Sequence, residues 1–159
     1  MKRGKYSSCD IAKWFVDRAD RSGGEDFTHL KLQKLIYYAQ AWFLANHNQA
    51  LFNEDVQAWP HGPVVPEVWH TYKKYGFTPI PESANKDSKL DKSVSVYLEK
   101  IYSAYAKYSA KGLEEFTHKE DPWIKTRGKL PIESKCEKTI DKALIRDYYA
   151  KLIDKEWTH

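Results

Sequence analysis

The chain has 159 residues, a formal net charge of +4, 42% hydrophobic and 30% charged residues, and two cysteines, Cys9 and Cys136. A chain of this length buries roughly 68–70% of its unfolded surface, so one domain over residues 1–159 needs no disulfide or metal staple, and the cysteines stand at no zinc-binding spacing. Basic residues interleaved with acids argue against a nucleic-acid partner, and the longest uncharged run, residues 35–53, ends in a polar stretch too early to span a membrane.

Asp10, Lys13 and Asp17 interrupt what would be the apolar core of a signal peptide, so the expected location is the cytoplasm. The same segment places Ile11, Trp14, Phe15 and Ala19 at helical spacing, predicting a first helix over residues 9–20 closed by the Gly23-Gly24 pair. Thr28 caps a second helix whose apolar stripe is Leu32, Leu35, Ile36, Ala39, Trp42 and Phe43, with Lys31, Lys34 and Gln40 expected on the other faces. Residues 56–59 alternate weakly and predict an extended piece. A third helix starts at Pro66 and stops at Gly76. Residues 78–89 read as loop, and a long fourth helix runs from Leu90 past Tyr105 and Tyr108 to a break near Gly112. Leu113 and Phe116 mark a short helix. Another begins with Asp121 as N-cap and Pro122 in the first turn and ends at Gly128. Asp141, flanked by Ile140 and Ile145 at the spacing of a hydrophobic staple, caps the last helix. The fold class is mainly α, a single compact domain of about six to seven helices with a short β-hairpin or extended segment near residues 50–65.

Residues 57–69, Gln-Ala-Trp-Pro-His-Gly-Pro-Val-Val-Pro-Glu-Val-Trp, crowd two tryptophans and three prolines between apolar helices. Gly62 before Pro63 suits extended or positive-φ backbone, so the loop is stiff and loses little entropy on binding. Trp59, His61, Val64, Val65 and Trp69 are therefore candidate contacts for a partner, with Trp123 as a second choice. The alternative for Trp59 and Val64 is that they fold inward onto Trp42 and Trp69. Aromatic content of 14% supplies either use. No nucleophile and base, no metal-ligand spacing and no phosphate-cradling loop stands out, so no catalytic, cofactor or metal residues are assigned and the chain is not read as an enzyme. His118, Glu120 and Asp121 are close in sequence, but Thr117 to Glu120 and Asp121 read better as helix-start chemistry than as a catalytic group.

Three separated motifs carry a resemblance that covers residues 9–153. They are Leu32-Gln33-Lys34-Leu35 with Tyr37-Tyr38 and Trp42, then Ala58-Trp59 with Gly62-Pro63-Val64, then Asp121-Pro122-Trp123. In this order they resemble the Panacea domain, also called SocA-like or phage-associated GepA-like. The departures are His61, where other aromatic or polar residues are common, and a segment before the last helix without the Asn-rich form. The resemblance implies a helical bacterial or prophage antitoxin that binds and neutralises a protein toxin encoded beside it. Some relatives are thought to act as adaptors to an AAA+ protease; whether this chain does is open, as is self-association. The motif residues are expected to be scaffold, with specificity on exposed positions. A DNA-binding autoregulator or phage accessory protein is the alternative, motivated by the basic Met-Lys-Arg-Gly-Lys start.

Overall fold

The computed structural model describes residues 3–22, 26–86 and 90–153. Its axis is helix α2 (His29–His47), capped as expected by Thr28, whose hydroxyl accepts from the Lys31 amide. The apolar stripe of α2 is buried except for half-buried Phe43, but so are Gln33, Lys34, Tyr37, Tyr38 and Gln40 on its other faces. A helix enclosed all round is central to the fold. Lys31, Lys34 and Gln40 lie on these other faces, yet each is at most 4% exposed and donates to a distant carbonyl. Lys31 bonds Ala106 at 2.6 Å, Lys34 bonds Pro63 at 3.3 Å and Gln40 bonds Phe52 at 2.8 Å. Buried polar groups persist when they are paired, and backbone oxygens supply the partners.

Around α2 stand α1 (Ser8–Arg18), α3 (Pro66–Tyr72), α4 (Lys92–Tyr105), α5 (Ala110–His118), α6 (Asp121–Arg127) and α7 (Lys142–Ala150), giving seven α-helices among the described residues. Helix α3 runs into a 3-10 turn over Lys73–Tyr75, and Gly76 stops it at φ 55°. Two boundaries differ from expectation. Helix α4 ends at Tyr105, and Gly112 lies inside α5, where its amide is capped by Ser109 at 3.0 Å. The N-cap of α6 is Glu120, one residue before Asp121, and it makes no side-chain cap. Its carboxylate instead accepts from the Tyr38 and Tyr149 hydroxyls, each at 2.9 Å.

Strands β1 (Gln57–Trp59) and β2 (Gly62–Val64) form an antiparallel hairpin with Trp59 opposite Gly62. The outer edge of β1 is covered by residues 138–140. Ala58 donates to the Lys138 carbonyl at 3.0 Å, and Ile140 donates to the Val56 carbonyl at 2.7 Å. The edge is therefore not open to pairing with another chain. Asp141 caps α7 through the Ala143 amide, and Ile140 and Ile145, both buried, close the staple. Of the basic start, Met1 and Lys2 lie outside the described residues, as do Gly23 and Gly24, and Lys5 is paired with Asp91 at 2.7 Å. Among the described residues no helix is long and apolar enough to cross a membrane.

Candidate protein-binding site

The hairpin is held by side chains from three helices. Gly62 sits at φ 109°, a region that residues with a Cβ rarely enter. A Cβ there would lie 2.6 Å from Lys34 Cε and 2.8 Å from Thr117 Oγ1, so the turn rests directly on α2 and α5. Its carbonyls are then claimed one by one. Arg127 Nη1 donates to Ala58 at 2.8 Å, Trp123 Nε1 to Trp59 at 2.8 Å and His118 Nε2 to Pro60 at 3.0 Å. Lys34 takes Pro63, and the Gln33 amide brackets Val65, donating to its carbonyl at 3.2 Å and accepting from its N–H at 2.9 Å. Arg127 Nη2 also reaches the carbonyls of Pro131 and Ser134, fixing the segment below the hairpin. A short hairpin is marginal alone; here α2, α5 and α6 fix its shape.

Beneath the turn lies a buried charge network. Glu114 is 2% exposed, and its two oxygens receive His61 Nδ1 at 2.6 Å and Lys111 Nζ at 2.8 Å. Burial pushes its carboxyl up, but the hydrogen bonds from Lys111 and His61 outweigh that and hold it below the ordinary range. Lys34 is fully buried nearby. Loss of hydration lowers its ammonium to about 7, against the opposing attraction of Glu114. His118 is lowered chiefly by burial. Its ring stacks on Trp123 with centroids 4.1 Å apart. The described residues hold no group of three or more His, Cys, Asp and Glu placed to share a metal ion.

On its outer side the hairpin walls a cleft of about 540 Å³. The opposite wall is the first turn of α2, with His29 and Leu30, and Trp69 of α3. Phe77 and the start of α5 at Ala110 and Lys111 complete the rim. Trp59 meets Trp69 edge to face at 5.5 Å, and Lys73 stands over Trp69 at 5.2 Å. The cleft thus gathers Trp59, His61, Val64 and Trp69 from the sequence-derived set; Val64 is 5% exposed and forms the floor. Two candidates are corrected. Val65 is wholly buried because Gln33 brackets its backbone over the core, and Trp123 is buried because its indole N–H anchors the Trp59 carbonyl. Neither offers a surface to a partner. Trp42 does not meet Trp59, packing instead on Tyr149 at 5.1 Å. His118 serves the hairpin and caps no helix.

Sequence reasoning missed Lys34, Gln33, Glu114, His118 and Arg127 as the hairpin's supports, and Leu30 and Phe77 as cleft residues. One signal was present for the first two: a Gln-Lys pair inside an otherwise apolar helical run needs buried acceptors somewhere.

A family model described as "Antitoxin SocA-like, Panacea domain" matches residues 32–124, more than half of the chain. Antitoxin SocA of Caulobacter vibrioides (strain NA1000 / CB15N) is 29% identical over 108 residues, covering 60% of this chain and 57% of that relative. The match therefore spans little more than half the relative's length. No solved structure matches this chain. The matched stretch runs from Leu32, beside the first support of the hairpin, through the hairpin itself to Ile124, just past Trp123. What it holds is most of the scaffold described above, with Arg127 and the residues that cover β1 lying beyond it, and the chain belongs to the Antitoxin SocA-like, Panacea domain family.

Proposed function

We propose that this protein is an antitoxin: it binds a cognate protein toxin encoded by an adjacent gene and neutralises it by occupancy, without turnover. The observation that carries this reading is the family match over residues 32–124. The geometry supports it physically. A hairpin whose carbonyls are fixed from below loses little conformational entropy on binding, and it borders an apolar cleft flanked by tryptophans. Neutralisation at cellular concentrations calls for nanomolar affinity, about −12 kcal/mol, and an interface of roughly 800 Å² per partner. An apolar cleft suits such an interface better than scattered surface charges.

The test is co-expression with the product of the adjacent reading frame, following growth rescue and co-purification. Rescue with retention of the neighbour on a column is expected. A wild type that does neither sinks the antitoxin reading. The same strain separates direct inhibition from delivery to an AAA+ protease. Occupancy leaves the toxin's half-life unchanged or longer, whereas delivery shortens it only while the protease is present.

A further inference from the structure

Packed interiors leave few voids larger than a water molecule, so a cleft of about 540 Å³ beside the hairpin is no packing defect. It falls in the range of ligand-binding pockets, roughly 300–1,000 Å³. At its lip Phe77 is fully exposed to water. It is nonetheless held in place: Gly76 turns the chain before it at φ 55°, and Thr78 after it donates to the Tyr75 carbonyl at 2.9 Å. An exposed aromatic ring on a fixed backbone turn beside an apolar cleft is surface suited to cover by a partner.

The ionisable side chains that line the cleft are basic. None of its lining residues is Asp or Glu, while Lys111 and His61 stand on the rim with side chains 73% and 77% exposed. Their shared carboxylate, Glu114, is buried beneath them, and Lys73 adds a further ammonium over Trp69. On the wall, His29 Nδ1 is enclosed with no hydrogen-bond partner among the described residues. Burial and the nearby Lys34 lower its basicity.

We infer that this cleft seats an apolar segment of the protein toxin, an inserted aromatic or long aliphatic side chain accompanied by a carboxylate that pairs with Lys111 on the rim. The inference rests on the antitoxin reading and names its contact surface. Phe77 closes over the inserted side chain, Trp59 and Trp69 receive it, and the rim cations select an acidic companion.

The experiment compares wild type with Phe77→Glu, Lys111→Glu and, as a control away from the cleft, Val96→Glu, each co-expressed with the adjacent gene product. The readouts are complex dissociation rate and growth rescue. Phe77 and Val96 are exposed, and their variants should melt with wild type; Lys111→Glu sets a like charge beside buried Glu114 and should melt earlier, so it is read below its own melting range. Phe77→Ala and Lys111→Gln replace the Glu variants if those unfold early. Phe77→Glu should dissociate about 30-fold faster or more, and Lys111→Glu about tenfold faster with a weaker salt dependence. Val96→Glu should match wild type. Anilinonaphthalene sulfonate bound to the free protein should be released as the complex forms. If wild type retains its neighbour and Phe77→Glu dissociates no faster, or the dye stays bound in the complex, the cleft inference is overturned while the antitoxin reading stands. Loss in Phe77→Glu with none in Lys111→Glu overturns the carboxylate. A wild type that retains nothing overturns both.

Discussion

Two carboxylates, buried Glu114 and half-buried Glu120, anchor different parts of this fold, and their donors differ. Glu114, under the hairpin, is met by Lys111 and His61, whose side chains are 73% and 77% exposed. Glu120, between α2 and α7, accepts from the hydroxyls of Tyr38 and Tyr149, both about 1% exposed. Tyr37 adds its ring, with its hydroxyl 3.3 Å from that of Tyr149, and Tyr38 stacks on Tyr105 at 4.0 Å. Burial and the Glu120 charge push Tyr37, Tyr38 and Tyr149 well above the ordinary phenol value, so all three stay neutral donors. The tyrosine layer is sealed from solvent. The hairpin side is wired to the surface through ions, so salt, pH and a bound partner act there first.

The comparison can be broken most directly at Arg127. Arg127→Ala should lower the unfolding free energy by about 3–5 kcal/mol in urea titrations, because several carbonyls lose a charged donor in a buried site. Hydrogen exchange should rise at the hairpin amides and not in α7. Equal deprotection of both regions would show that the two sides unfold as one unit.

Next in size is Gly62→Val, at about 3 kcal/mol, combining a strained φ with a Cβ driven onto Lys34. Gly128→Ala isolates the backbone part. Its φ is 63°, and a Cβ there meets nothing within 4 Å, so about 1 kcal/mol is expected. Similar losses in both variants would show that contact with Lys34 contributes nothing.

Lys34 gives the hairpin side its pH signature. Its ammonium is lowered to about 7 from 10.5 by burial, so above pH 7 the unfolded chain binds more protons than the folded one. Stability from this group therefore rises with pH through that window, by at most about 1.4 kcal/mol per pH unit. Glu114, His29 and His118 surround it electrostatically, and Glu114 is the one that opposes the shift. Lys34→Met should flatten the rise between about pH 7 and 9.5 in denaturant titrations. A variant that keeps the wild-type slope removes Lys34 as its source.

The smallest effect belongs to the sealed side. Tyr149→Phe removes one hydroxyl from Glu120 and should lower stability by about 1 kcal/mol. That loss should be independent of salt, in contrast to Lys111→Gln.

How far the sequence reads depends on what each pattern measures. The stripe of α2, the caps at Thr28 and Asp141 and the stop at Gly76 are local, and each stands where spacing and capping chemistry place it. Glycine alone suggested a break at Gly112, but Ser109, a good N-cap three residues earlier, starts α5 there. The burial of the polar residues of α2 was not legible for a different reason. A helical wheel sorts side chains by polarity and cannot see that Gln33 and Lys34 meet carbonyls some thirty residues away. The same blindness made Val65 and Trp123 look like contacts, although both support the hairpin from inside. Trp59, His61 and Trp69 did reach the cleft, because a rigid aromatic loop without core spacing is legible. Leu30 and Phe77 were not legible, since their role comes only from where α2 and the 3-10 turn bring them together.

The supports of the hairpin end on main-chain oxygens, and an oxygen of this kind is the same whatever side chain its residue carries. Arg127, Trp123, His118, Lys34 and Gln33 thus specify the path of residues 58–65 while leaving the identity of outward positions such as Trp59 largely unspecified. His61 is tied back by its own side chain to buried Glu114, and the Trp59 indole N–H donates to Gln57 within the same strand. A library varied at Trp59, Leu30 and Phe77 would keep the loop's shape while changing what it fits, so new partners are reachable by substitution at the rim without a new fold.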